Sequence, residues 1–126
     1  MDPSAGNTTV FVIDDDEWVR DSIAVLLQVH RFEVEVFASI ADFLQNYRKP
    51  RHGCLVLDHH VPPTTGLDFL ESDEGRKLGI PVILISGLPD SSIERRARGA
   101  GAASFLRKPV TAELLIDCIK RAIGGA

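Results

Sequence analysis

Short apolar runs alternate with stretches of helical periodicity along almost the whole chain. Val10-Phe11-Val12-Ile13 is a β-rich run that stops at a row of acids, and Val19, Ile23, Leu26, Leu27 and His30 follow at helical spacing. A strand and then a helix are predicted. Phe32 to Phe37 alternates, with Val34 and Val36 opposite Glu33 and Glu35, the pattern of a half-covered edge strand. Ser39 and Asp42 have capping-box spacing ahead of a helix carrying Ile40, Phe43 and Leu44. Cys54-Leu55-Val56-Leu57 is apolar on both faces, as an inner parallel strand must be, and ends at Asp58. A loop with Pro62, Pro63 and Gly66 leads to a helix holding Leu67, Phe69 and Leu70. Pro81 to Ile85 is a second two-faced strand that ends at Ser86-Gly87, and Ser91 or Ser92 is placed to cap a short helix running to Gly99. Phe105-Leu106 belongs to a last short strand. Thr111 then opens a helix with Leu114, Leu115, Cys118, Ile119, Ala122 and Ile123, which Gly124 stops.

This is a βα unit repeated five times, and strict alternation of that kind predicts an open, doubly wound α/β domain with a parallel sheet and helices on both faces. With 126 residues there is room for one such domain, and the expected boundaries are a polar lead-in at 1–8, a folded unit at 9–124 and a tail at 125–126. The 44% hydrophobic and 25% charged residues suit a globular chain and exclude disorder along its length. A net charge of −4 argues against direct nucleic-acid binding by this surface. Val10 to Ile13 and Val82 to Ile85, like every other apolar stretch, fall far short of the roughly 18 residues of a membrane span, and the N-terminus lacks the pattern of a signal peptide. No membrane association and a cytoplasmic location are therefore expected. Cys54 and Cys118 each sit in an apolar pattern without metal-ligand spacing and read as buried thiols.

In doubly wound sheets ligands bind beyond the carboxyl ends of the strands, where strand order reverses. The residues just past the inner strands are Asp14, Asp15 and Asp16, then Asp58, then Ser86, then Lys108. Carboxylates gathered in one cleft repel one another unless neutralised, and a hard divalent cation held by oxygens is the simplest neutraliser. Mg²⁺ fits best, because it keeps open positions for a phosphoryl oxygen. A hydroxyl and an ammonium facing it supply donors for the remaining oxygens. The constellation points to phosphoryl transfer. His52, His59 and His60 read as loop residues, and Arg95, Arg96 and Arg98 as a solvated helix face.

Val12-Ile13-Asp14-Asp15-Asp16, Leu55-Val56-Leu57-Asp58-His59-His60-Val61-Pro62 with Gly66, Ile83-Leu84-Ile85-Ser86-Gly87, Ala100-Gly101-Ala102 and Phe105-Leu106-Arg107-Lys108-Pro109 together resemble the receiver domain of two-component response regulators. The resemblance runs from about Thr9 to Ile123, and the pattern is most like that of receivers preceding a helix-turn-helix output domain. It implies a flavodoxin-like five-stranded sheet in the order 2-1-3-4-5. It also implies that Asp58 is the phosphorylated residue, that Lys108 and Ser86 assist, and that Ser86 and Phe105 form the switch. Mg²⁺ would be held by Asp15, Asp58 and the main-chain carbonyl of His60, with Asp14 acting through water. His60 and Leu88 would flank the route of attacking water and tune the phosphoryl lifetime. A cis Lys108-Pro109 bond is expected by the same likeness. Val61, Ser86, Phe105 and Val110 stand where the family often has Met, Thr, Tyr and Phe; Ser keeps the hydroxyl and Phe the ring.

The implied activity is that of a signalling domain rather than an enzyme, one that assists its own phosphorylation and dephosphorylation. Its implied donor is a sensor histidine kinase or a histidine phosphotransfer protein. Output would pass through the fourth helix, fifth strand and fifth helix, to a partner or to a transcriptional effector domain of a longer regulator. A homodimer would use that face or the first and fifth helices. A pseudo-receiver that binds partners without phosphorylation is the alternative, against which the intact acids, Ser86 and Lys108 weigh. A flavin mononucleotide carrier is disfavoured because acids after the first strand would repel the cofactor phosphate. Trp18 is expected in the first turn of the first helix, beside the metal site.

Overall fold

The computed structural model describes residues 8–48 and 52–124. Its elements, in chain order, are β1 (Thr8–Ile13), α1 (Glu17–Val29), β2 (Glu33–Phe37), α2 (Ile40–Asn46), β3 (His52–Asp58), β4 (His60–Val61), β5 (Thr64–Thr65), α3 (Gly66–Glu71), α4 (Asp73–Arg76), β6 (Val82–Ser86), α5 (Ser91–Gly99), β7 (Ser104–Arg107) and α6 (Ala112–Gly124). Five strands pair in parallel in the order β2-β1-β3-β6-β7, which is the expected 2-1-3-4-5. In that count α5, β7 and α6 are the fourth helix, fifth strand and fifth helix. Thr8 already pairs with His52, so β1 begins inside the segment expected as lead-in, while residues 1–7 and 125–126 lie outside the described residues.

Side chains alternate across the sheet because strand periodicity is two. Phe11, Ile13, Leu55, Leu57 and Leu84 face a layer formed by Ile40 and Phe43 of α2, Leu67, Phe69 and Leu70 of α3, and Ile93 and Ala97 of α5. Val10, Val12, Cys54, Val56, Ile83 and Ile85 face Leu27 of α1 and Leu115, Ile116, Cys118 and Ile119 of α6. The inner strands are therefore apolar on both faces through their centres, Val10–Ile13, Cys54–Leu57 and Val82–Ile85, whereas the edge strand β2 is only partly covered, as its Val/Glu alternation predicts. Phe11, Phe37, Phe43 and Tyr47 interlock, mostly edge to face at 5.5–5.6 Å between ring centroids. Both thiols are free and buried, and burial pushes Cys54 up to about 12.

Caps fix where the helices begin. Ser39 accepts from the Asp42 N–H as expected, and Thr111 accepts from the Leu114 N–H. For α5 the cap is Asp90, whose carboxylate accepts from the Ser92 N–H, rather than Ser91 or Ser92, both of which lie within the first turn. The loop after β3 folds into the β4–β5 ladder, and α4 adds a single turn after α3; neither was expected. Lys108-Pro109 is cis as expected, and so is Pro62-Pro63.

Candidate functional site

The chain passes from β1 to β2 on one side and returns to β3 on the other, so strand order reverses between β1 and β3. Asp14 follows β1 and Asp58 ends β3, which sets two carboxylates on either side of that crevice. They line a cleft of about 520 Å³ together with Asp15, Asp16, His60, Ser86, Leu88 and Lys108, among others. Gly66 permits the close approach of α3 beneath it, since a Cβ there would lie 2.6 Å from the Asp58 carbonyl oxygen.

Carboxylate oxygens of Asp14, Asp15 and Asp58 come within 4.8 Å of one another. Asp14 and Asp58 are buried and Asp15 is exposed. Lys108, delivered by the end of β7, places Nζ 3.1 Å from Asp58 Oδ1 and 3.2 Å from Oδ2. Asp14 has only a partial counterweight. Burial pushes its carboxyl up to about 6; the charges of Asp58 and Asp15 add to the rise, while the Asp16 N–H and Lys108 oppose it. Ser86 is buried on the far wall, and its Oγ accepts from the Leu88 N–H at 3.1 Å.

The turn between β1 and α1 is held at several points. Asp14 N–H donates to the Phe37 carbonyl at the end of β2, Asp14 Oδ1 accepts from the Asp16 N–H at 2.9 Å, and Asp16 caps α1 by accepting from the Trp18 and Val19 N–H groups. Arg20, which the sequence did not single out, donates from Nη1 to the Asp14 carbonyl at 2.8 Å. The His60 side chain stays exposed at the rim of the cleft, with Nε2 3.9 Å from Asp15 Oδ2.

The expectation that Trp18 lies beside the site is corrected. It is in the first turn, but its side chain is 84% exposed, and Val19 is the α1 side chain lining the cleft. With Asp16 as cap, helix phase turns Val19 toward the sheet and Trp18 to solvent. Phe105, expected as part of the switch, is packed into the core at 8% exposure, with the Arg107 guanidinium 5.8 Å from its ring centroid. The histidines do not cluster. His52 begins β3 and bonds Thr8 Oγ1, at the opposite end of the strand from His59 and His60. His59 accepts at Nδ1 from the Leu67 N–H, and burial lowers its pKa. Arg96 and Arg98 form ion pairs with Glu71 and Glu94, in keeping with a solvated face.

Residues 10–120 match the family model for the response regulator receiver domain. The chain is 35% identical over 116 residues to the transcriptional regulatory protein TdiR of Thauera aromatica, covering 92% of this chain and 51% of TdiR. It is 36% identical over 114 residues to the transcriptional regulatory protein FixJ of Rhizobium meliloti (strain 1021), covering 90% of this chain and 56% of FixJ. It thus spans about half the length of these curated relatives. The crystal structure of FixJ-N superposes with a TM-score of 0.84 at 34% identity, covering 94% of this chain and 95% of that one. With its order of strands and its acid crevice, the chain belongs to the receiver domain family of two-component response regulators, a family of signalling domains.

Proposed function

We propose that this receiver, residues 9–124, accepts a phosphoryl group on Asp58 from a phosphohistidine of a sensor histidine kinase or phosphotransfer protein. One observation carries the reading: a buried carboxylate at the crevice is bound through both oxygens by a lysine ammonium, with two further carboxylates within reach. An Asp58 oxygen attacks phosphorus, the P–O bond forms as the P–N bond breaks, and the histidine ring leaves with the electron pair. Lys108 meets the charge that develops on the phosphoryl oxygens, in a site already shaped for it.

The donor set also fits a divalent cation. It is all oxygen, crowded with negative charge, and Asp14 carries the mark of incomplete neutralisation. Asp15, Asp58 and the His60 carbonyl would hold Mg²⁺, with Asp14 acting through water; when bound, the ion neutralises the acids and draws charge from the phosphoryl oxygens.

Ser86 makes the contact that differs between states. Its oxygen accepts from Leu88 N–H, which leaves its own proton free to donate to a phosphoryl oxygen. Phe105 fills the space on that side of the sheet and transmits the movement to α5, β7 and α6. His60 and Leu88, at the cleft rim, tune the lifetime of the acyl phosphate. The partner of that face is a second copy or the effector domain of a longer transcriptional regulator, in the cytoplasm; α1 with α6 is the other dimer face. Among the described residues no helix is long and apolar enough to cross a membrane. Incubation with acetyl phosphate and Mg²⁺ should add one phosphoryl group by intact mass, and Asp58→Asn should abolish it. Full labelling of Asp58→Asn would place the acceptor elsewhere.

A further inference from the structure

We infer that Arg20 is a positioning residue for the acid pair, acting through the main chain of Asp14; its bearing on cation binding rests on the function proposed above, whereas the restraint it imposes does not. Asp14 is the first residue beyond β1, and it must turn out of the sheet while keeping its carboxylate over the crevice. Its N–H is anchored to the Phe37 carbonyl and its Oδ1 to the Asp16 N–H. These two bonds leave the carbonyl as the third handle on the residue. The Arg20 guanidinium takes it, donating from Nη1 at 2.8 Å in a partly buried setting. Arg20 is itself rooted in the same turn, since its backbone N–H donates to the Asp16 carbonyl in the first turn of α1. The side chain therefore closes a ring that runs from Asp14 through Asp15 and Asp16 into the helix and back to Asp14.

A charged donor aimed at a carbonyl is worth more than a neutral one, and here it fixes the peptide plane joining Asp14 to Asp15. That plane sets where both carboxylates point. The Arg20 guanidinium bonds the main chain of Asp14 and not its carboxylate, so its hold on the acid is geometric. Without the clamp, the mutually repelling carboxylates of buried Asp14 and Asp58 and exposed Asp15 would relax apart by rotating that peptide.

Arg20→Met tests this, because it keeps an unbranched stem of similar helix propensity and removes every donor. In metal-free protein the Asp16 amide, which depends on Asp14 Oδ1, should exchange with solvent about tenfold faster, the loss expected of one charge-assisted hydrogen bond. The thermal midpoint should stay close to that of the parent. Titration with Mg²⁺ alone should give a dissociation constant raised by about fivefold to tenfold, and Arg20→Lys, which restores one donor, should recover part of both effects. Unchanged Asp16 exchange in Arg20→Met would overturn the inference. So would a loss of Mg²⁺ affinity that tracks a fallen midpoint and is not relieved by Arg20→Lys, which would mark general destabilisation. If the parent itself binds no Mg²⁺, the proposed cation site fails, while the Asp16 amide still reads the restraint.

Discussion

Asp14 is the residue at which stability and site chemistry conflict. Its carboxyl is raised to about 6 in the folded chain against 3.8 in the unfolded one, so the folded state holds the proton more tightly. The sign follows: the fold is unpenalised below about pH 4, and stability declines as pH rises from about 4 to about 6. Asp14→Asn keeps an oxygen for the Asp16 N–H and removes the charge. Metal-free Asp14→Asn should match the parent near pH 4 and exceed it at pH 7, by on the order of 1 kcal/mol after allowing for solvent screening. Urea unfolding at the two pH values in the presence of a chelator measures it; a difference independent of pH would put the strain elsewhere. Lys108→Ala leaves the buried Asp58 without its cation and should slow phosphorylation by acetyl phosphate on the order of a hundredfold, read by timed intact mass. The acids, Ser86 and Lys108 were legible in the sequence because polarity changes abruptly where an apolar strand ends. Arg20 was not, since a side chain reaching back six positions to a carbonyl leaves no periodicity. The solvent-facing phase of Trp18 depended on which of three successive acids capped α1.

Among the elements, α5 is held by a narrow apolar face together with surface charge. Ile93 and Ala97 are the buried residues of its nine, and ion pairs hold its flanks. Arg96 grips Glu71 of α3 through two bonds at 2.6 and 3.2 Å and lies 3.7 Å from Asp68, while Glu94 meets Arg98 and Arg107. These pairs hold Glu71 and Glu94 below the usual carboxylate range. Exposed pairs contribute little to global stability but bias local opening. Arg96→Met should therefore speed amide exchange across Ser91–Gly99 severalfold with little change in the unfolding midpoint, and added salt should narrow the gap between variant and parent. Equal exchange at low salt would show that the two apolar residues alone set the helix. The five strands and five main helices could be read from period and caps. The β4–β5 ladder and α4 could not, because elements of two and four residues are too short to establish a period, and their pairing depends on the loop's three-dimensional course. The α5 cap is ambiguous in the sequence for a related reason: Asp90, Ser91 and Ser92 are all competent, and the choice turns on one residue of helix phase.

Over the whole molecule, the sheet separates a face carrying α1 and α6 from one carrying α2, α3 and α5, and the site touches both. Moving a two-state protein from 1:99 to 99:1 takes about 5.5 kcal/mol of differential interaction, more than a single surface contact supplies. Ser86 is where such a difference can be concentrated. It is buried at the end of β6, its carbonyl accepts from the Lys108 N–H, and its neighbour in register is Arg107 at the end of β7. Displacing Ser86 toward a group on Asp58 therefore pulls on β7 directly and on α5 through the loop that leaves β6. Phe105 already lies inward at 8% exposure, so under the proposed coupling the ring would support that displacement from where it stands rather than rotate in from solvent. Beryllofluoride with Mg²⁺ should accordingly shift backbone resonances from Ser86 through Arg107 and into the start of α6, with small changes in α2 and β2. Ser86→Ala should still acquire a phosphoryl group from acetyl phosphate yet lose most of the shifts in α5 and β7, because acceptance depends on Asp58 and Lys108 whereas transmission depends on the hydroxyl. A full shift pattern in Ser86→Ala would break the coupling proposed here while leaving Asp58 as acceptor. Loss of phosphorylation together with the shifts would make Ser86 part of the transfer chemistry itself.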